Sequence, residues 1–265
     1  DESGKEVRSF GGGMFVWPHG IHVDRDGNVW VTDGQDNRPR AGRGGAPADP
    51  APMPAKIYGH QIFKFSPKGE LLMTLGAPGG GKGKDYFWQP NDVLVAPNGD
   101  IFVCEGHAST DSSNARILKF DKTGKFIRII GGVKGSAPGQ LQLVHGVVID
   151  SKGRLIVSDS DNKRLSVFDD QGKFLTTWAA PCRGGIAIAP DDTIYVSDVN
   201  AGAITVLKEG QIVDVIHVEG RPHGLGMDPT TGDLYTASTG QNAPNVSKVS
   251  LKVARPAGRG NNAKQ

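Results

Sequence analysis

Apolar and polar residues alternate along most of the chain in short runs, broken at regular intervals by glycine or aspartate. Five segments share one layout, an alternating run, a tight turn and a second alternating run: 20–34, 92–106, 146–159, 184–198 and 224–238. Turns such as DGN, NGD and KGR between runs with period two predict pairs of antiparallel strands. Each of the first four segments is followed by a second pair, at 60–76, 115–131, 163–178 and 203–218, joined by turns of the D-x-G-K type. The fifth is followed by one strand, VSKVSLKV from Val246. Four short antiparallel strands per repeat predict an all-β chain of β-propeller blades. No amphipathic helix pattern of useful length occurs.

The residues just before the first strand of each repeat are His19, Asn91, His145, Arg183 and His223, spaced by 72, 54, 38 and 40 positions. The two long spacings are explained by insertions, a Gly/Pro/Arg-rich loop at 34–59 and a second loop at 77–88. The expected organisation is one propeller domain over 1–253, with a disordered Gly/Asn-rich tail over 254–265. The N-terminal GKEVRSFGG reads as the fourth strand of a blade. It either completes the fifth repeat and closes a five-bladed ring, or is the remnant of a first blade missing from the chain.

Composition narrows the function classes. Thirty-eight glycines and seventeen prolines among 265 residues fit a turn-rich chain. A net charge of +2 gives no electrostatic argument for nucleic acid or an acidic membrane surface. No apolar run reaches the length of a membrane-spanning helix. Two cysteines, Cys104 and Cys182, make no disulfide framework, and either pair or stay free. The chain starts at Asp1 with neither an initiator Met nor a signal peptide, so its N-terminus is expected to be processed or cut.

In a propeller, the residue preceding each first strand sits at one mouth and faces the axis. Three of seven histidines, His19, His145 and His223, occupy that position in alternate repeats. Repetition of the turn alone would place His in the other two repeats as well. Three imidazoles with a fourth position open is the donor set of a catalytic zinc ion. Arg183, in the same ring, is a candidate to hold a substrate carboxylate through paired hydrogen bonds, or else to make a structural ion pair. His107, after the second strand of its repeat, is a candidate general acid or base. His22, His60 and His217 read as structural or solvent-facing. The acids ending the second strands, Asp33, Glu105, Asp159 and Asp198, recur in every full repeat and read as turn-satisfying groups, with Arg116 and Arg164 as partners.

N-x-R-I-x-x-F followed by D-x-x-G-K-F, with V-x-D second strands, resembles the NHL repeat. The succession WPHGIHVDRDGNVWVTD, FWQPNDVLVAPNGDIFVCEG, LVHGVVID and RPHGLGMD is similar to the peptidyl-α-hydroxyglycine α-amidating lyases, across about residues 4–238. That resemblance implies a six-bladed propeller that splits a carbinolamide, the hydroxyglycine end of a peptide, into an amide and glyoxylate. It implies His19, His145 and His223 as zinc ligands, and the periplasm or secretion as the location. His107 stands where the family has its catalytic Tyr, and Ser160 where it has an Arg. A further catalytic Arg belongs to a first blade that this chain lacks. A carbonyl ligand of the family's calcium matches Ile21, but its carboxylate is replaced by Gly224.

Three functions follow. The first is a metal-dependent carbon–nitrogen lyase acting, as a monomer, on a small molecule or a peptide C-terminus, with Zn2+ as cofactor. The second is a non-catalytic NHL propeller that binds a protein or a carbohydrate. The third is a lactonase-like hydrolase, which depends on calcium held by hard oxygen ligands that this ring does not offer.

Overall fold

A computed structural model describes residues 3, 5–39, 52–107, 113–240 and 246–251. Among these residues nineteen strands form five antiparallel sheets, and the sheets are the blades of a five-bladed β-propeller. The first blade holds β1 (Pro18–Val23), β2 (Val29–Asp36), β3 (Gly59–Phe65) and β4 (Leu71–Leu75). The second holds β5 (Pro90–Val95), β6 (Ile101–Glu105), β7 (Arg116–Phe120) and β8 (Phe126–Gly131). The third holds β9 (Val144–Ile149), β10 (Leu155–Asp159), β11 (Arg164–Phe168) and β12 (Phe174–Ala179). The fourth holds β13 (Ile186–Ile188), β14 (Ile194–Asp198), β15 (Ala203–Lys208) and β16 (Gln211–His217). The fifth holds β17 (Pro222–Met227), β18 (Leu234–Ser238) and β19 (Val246–Val249).

The predicted pairs match these strands because the turn chemistry dictates them. In Asp24–Gly27, Asp121–Gly124, Asp150–Gly153 and Asp169–Gly172 the glycine N–H donates to the aspartate carbonyl at 2.9–3.0 Å, with the glycine at φ between 75° and 85°. The aspartate carboxylate accepts further backbone N–H groups of the same turn. Only a residue without Cβ takes that left-handed φ at no cost, hence D-x-x-G.

The core is divided between the blades. Trp30, Ile62, Val103 and Leu118 pack between the first and second, and Phe102, Ile117, Val147 and Leu155 between the second and third. Ile156, Leu165, Ile194 and Val196 fill the space between the third and fourth, and Ile204, Val206 and Leu234 that between the fourth and fifth. Cys104 and Cys182 are buried free thiols in two of these layers, where burial pushes the Cys182 thiol up to about 12.

Two expectations are corrected. Residues 5–17 contain no strand and do not complete the fifth blade. They lie against the first, with Phe10 on Phe65 and Phe15 on Phe63, because the aromatic face of β3 offers more apolar contact than an edge strand does. The 34–59 insertion also starts later than expected, since β2 runs on through Asp36. The tail at 254–265 lies outside the described residues. No described helix is long and apolar enough to cross a membrane.

Candidate metal centre

Each first strand that carries a ring histidine is irregular at that histidine. Pairing in β1 jumps from Pro18–Asp33 to Ile21–Val31, in β9 from Val144–Asp159 to Val147–Val157, and in β17 from Pro222–Ser238 to Gly224–Ala237. The bulges fall on His19, His145 and His223, and a bulge re-aims the side chain it carries. The glycine after each histidine follows from the same geometry. A Cβ at Gly20 would lie 2.3 Å from the Asn91 carbonyl oxygen, and one at Gly146 2.9 Å from the Ile186 side chain. In the first and third blades the His-Gly pair thus lets the next blade close on the axis, whereas a Cβ at Gly224 would meet only Ala237 of its own blade, at 3.2 Å.

There the imidazoles converge. The His145 and His223 rings lie 4.6 Å apart, His19 and His223 5.1 Å, and His19 and His145 5.4 Å between centroids. His145 Nε2 and His223 Nε2 are 3.1 Å apart. His19 Nδ1 is 2.8 Å from the Asn91 carbonyl oxygen. A carbonyl only accepts, so Nδ1 carries the proton and the Nε2 lone pair is free; that Nε2 is buried without a partner.

His107 joins the cluster rather than standing off it. The ligand atoms of His19, His107, His145 and His223 all lie within 4.8 Å of one another. Gly106 precedes it at φ 111°, where a Cβ would overlap the Asn114 carbonyl oxygen at 1.8 Å, so glycine is required to turn β6 toward the axis. Trp17 presents its indole edge-on to both His19 and His107, at 4.8 and 5.0 Å, and walls the cluster on one side.

Burial and mutual repulsion keep these rings uncharged. His19 is lowered to about 3, first by burial and then by His107, against the opposing Asn91 hydrogen bond. His107 is lowered to about 4 by burial, His223 and Arg183. Burial takes His145 well below the usual histidine value, assisted by His19, His223 and His107, and it lowers His223 too. Neutral imidazoles with buried free lone pairs are the donor set that suits zinc, copper or nickel, and suits calcium poorly.

Arg183 does not point into the ring. Its side chain is half exposed and donates to Asp161 Oδ1 at 3.2 Å, while its backbone N–H donates to Asp198. It borders a cleft of about 720 Å³ with Ser160, Asp161, Cys182 and Asn200. Ser160 is buried and donates to the Cys182 carbonyl.

The strand-ending acids are structural. Asp33, Glu105, Asp159 and Asp198 accept the backbone N–H groups of Val16 and Trp17, of Trp88, of Gln142 and of Arg183. These donors lie on the segments that lead into the first strands, so each acid ties the end of a second strand to the entry of its own blade. Arg116 pairs with Glu105 and donates to the carbonyls of Lys82, Gly83 and Tyr86 in the 77–88 loop. Arg164 pairs with Asp159 at 2.9 Å and clasps Ser136 and Gln140 in the same way. His60 is structural as well: its Nδ1 accepts the Gln89 N–H and its ring stacks on Trp88. Sequence reasoning missed the Asn91 carbonyl and Trp17, of which the first is a backbone atom without a side-chain signature.

The NHL repeat family matches residues 141–168. Human NHL repeat-containing protein 3 is 28% identical over 246 residues, covering 84% of this chain and 64% of that protein. Peptidyl-glycine alpha-amidating monooxygenase B of Xenopus laevis is 34% identical over 171 residues, covering 62% of this chain and 16% of that protein. A probable peptidyl-alpha-hydroxyglycine alpha-amidating lyase of Caenorhabditis elegans is 31% identical over 170 residues, covering 62% and 40%. The chain spans less than two thirds of the length of these relatives. Among solved structures, virginiamycin B lyase from Staphylococcus aureus superposes with TM-score 0.53 at 14% identity over 90% of this chain and 71% of that one. A gluconolactonase from Xanthomonas campestris superposes with TM-score 0.57 at 14% identity over 85% and 70%. Likeness at that identity speaks for the fold alone. Repeat, blades and relatives agree: the chain is a β-propeller with an NHL repeat match at 141–168, similar over part of its length to the peptidyl-α-hydroxyglycine α-amidating lyases and the NHL repeat proteins.

Proposed function

We propose that the chain is a zinc-dependent lyase that cleaves the carbon–nitrogen bond of a carbinolamide bearing a carboxylate. The observation that carries the reading is the convergence of four histidine rings at the propeller axis, with Nε2 of His19 and of His107 and Nδ1 of His145 buried and unpartnered. His19, His145 and His223 would hold the zinc, which when bound supplies a Lewis acid that polarises a substrate oxygen. The Asn91 carbonyl fixes the His19 tautomer, so that the Nε2 lone pair is the one available to an ion. His107, neutral at pH 7, accepts the proton of the substrate hydroxyl. The C–O bond becomes a carbonyl, the C–N bond breaks, and the amide nitrogen takes up a proton, giving an amide and a 2-oxo acid. Arg183, turned from Asp161, would hold the carboxylate at the edge of the 720 Å³ cleft.

The test is elemental analysis of the purified chain and of His145→Ala, together with glyoxylate release from an N-acyl-α-hydroxyglycine. The expected result is about one zinc per chain, lost with glyoxylate release in the variant. A chain that takes up no zinc after incubation with the ion, and releases no glyoxylate, overturns the reading.

A further inference from the structure

The three ring histidines owe their prominence to repeat position, but the structure does not separate them from the fourth imidazole. The His107 ring lies 4.8 Å from His19 and 5.3 Å from His145, no farther than His19 and His145 lie from each other at 5.4 Å. It is 6.0 Å from His223. His107 Nε2 is buried with no hydrogen-bond partner, like Nε2 of His19. A buried ring nitrogen without a partner, within 4.8 Å of the other three ligand atoms, has nothing else among the described residues to satisfy it. Its placement is also constrained on two sides, by a glycine that no other residue could replace without overlap and by the edge of Trp17.

We propose that His107 is a fourth protein ligand of the metal, filling the coordination position that a three-histidine site leaves open. This rests on the metal reading given above and changes what the resting site is. Four imidazoles complete a tetrahedral shell, the form of a closed site, whereas a catalytic site keeps a position for water or substrate. The four ligand atoms spread over up to 4.8 Å, wider than a tetrahedral zinc with Zn–N near 2.0–2.1 Å allows, so modest side-chain rotation draws them in. A substrate oxygen then enters by displacing His107. Being the one ring carried on the segment that follows a second strand rather than in an axial bulge, His107 is the ligand whose release disturbs the ring least. Once released, His107 would remain within the cluster, so one residue would serve first as ligand and then as acceptor of the substrate's hydroxyl proton.

Zinc K-edge X-ray absorption on the zinc-loaded full chain decides this. The expected wild-type spectrum fits four imidazoles and no additional oxygen. The spectrum of His107→Ala is expected to fit three imidazoles plus one oxygen, with zinc affinity at least tenfold weaker by chelator competition. A wild-type spectrum that fits three imidazoles and an oxygen, and is unchanged in His107→Ala, overturns this proposal and leaves the zinc reading standing. A wild-type chain that binds no zinc overturns both. The wild-type spectrum decides without any variant, and circular dichroism verifies that His107→Ala retains its strands.

Discussion

His107→Phe turns the electrostatics of the cluster into a measurement. The substitution keeps an aromatic ring against Trp17 and removes the titrating nitrogen. In the folded apo chain His107 is lowered from 6.5 to about 4, chiefly by burial. A histidine whose folded pKa lies below its unfolded one contributes stability that is complete above the unfolded value. That contribution is lost as pH falls from 6.5 toward 4, because only the unfolded chain takes up the proton. The interval is worth about 3 kcal/mol at 1.36 kcal/mol per unit, and solvent screening of a partly accessible ring reduces it to about 1.5 kcal/mol. For a domain of this size, about 2–4 °C per kcal/mol converts that to a differential shift of about 3–6 °C. The assay is thermal unfolding followed by circular dichroism, with a chelator present, at pH 7 and pH 4.5. Wild type is expected to lose about 3–6 °C more than His107→Phe between the two. Asp92 and Glu105, both raised to about 7 by burial, act in the opposite sense over that range, but they are common to both proteins and drop out of the comparison. Equal losses in the two proteins, or a larger loss in the variant, would refute the burial argument.

Three further outcomes follow from the same geometry. Asp159→Ala strands the Arg164 guanidinium and the Gln142 N–H, and is expected to cost about 3–5 kcal/mol in denaturant unfolding. Asp198→Ala, which loses only backbone partners in the bonds described, costs less. Gly106→Ala forces a Cβ onto the Asn114 carbonyl and is expected to lower stability by about 1–3 kcal/mol, and zinc affinity with it, measured by unfolding and chelator competition. Arg183→Ala leaves the fold and metal content intact and raises KM for a carboxylate-bearing substrate by about 10- to 100-fold, the loss of one charge-assisted pair; an unchanged KM removes Arg183 from the substrate site.

What the sequence could reveal depended on repetition. The turn aspartates and glycines, the strand-ending acids and the three His-Gly pairs each recur at a fixed place in the blade, and recurrence separates a geometric requirement from chance. The pairing of Arg116 with Glu105 and of Arg164 with Asp159 was legible for the same reason. His107 occurs once, just after a second strand, and its entry into the cluster depends on the φ of Gly106 and on Trp17 from another blade, neither of which leaves a local pattern. Arg183 shares the ring position of the histidines by sequence, yet its long side chain reaches outward to Asp161, since a flexible cation beside a buried cluster gains more from a carboxylate near solvent. The N-terminal segment has the alternation of a strand, but its phenylalanines pack on the buried rings Phe63 and Phe65 of β3 instead of adding an edge.

The layered core carries one more consequence. Among the described residues the apolar clusters seat consecutive blades against one another and none joins the fifth blade to the first, so that the series behaves as a linear array with those two blades at its ends. In such an array, opening starts at the ends and travels inward. His19 belongs to the first blade and His223 to the fifth, their rings 5.1 Å apart. An ion gripped by both would be a staple across the ends of the array. Without it the terminal blades exchange their amide hydrogens fastest, and with it the whole ring opens as one unit.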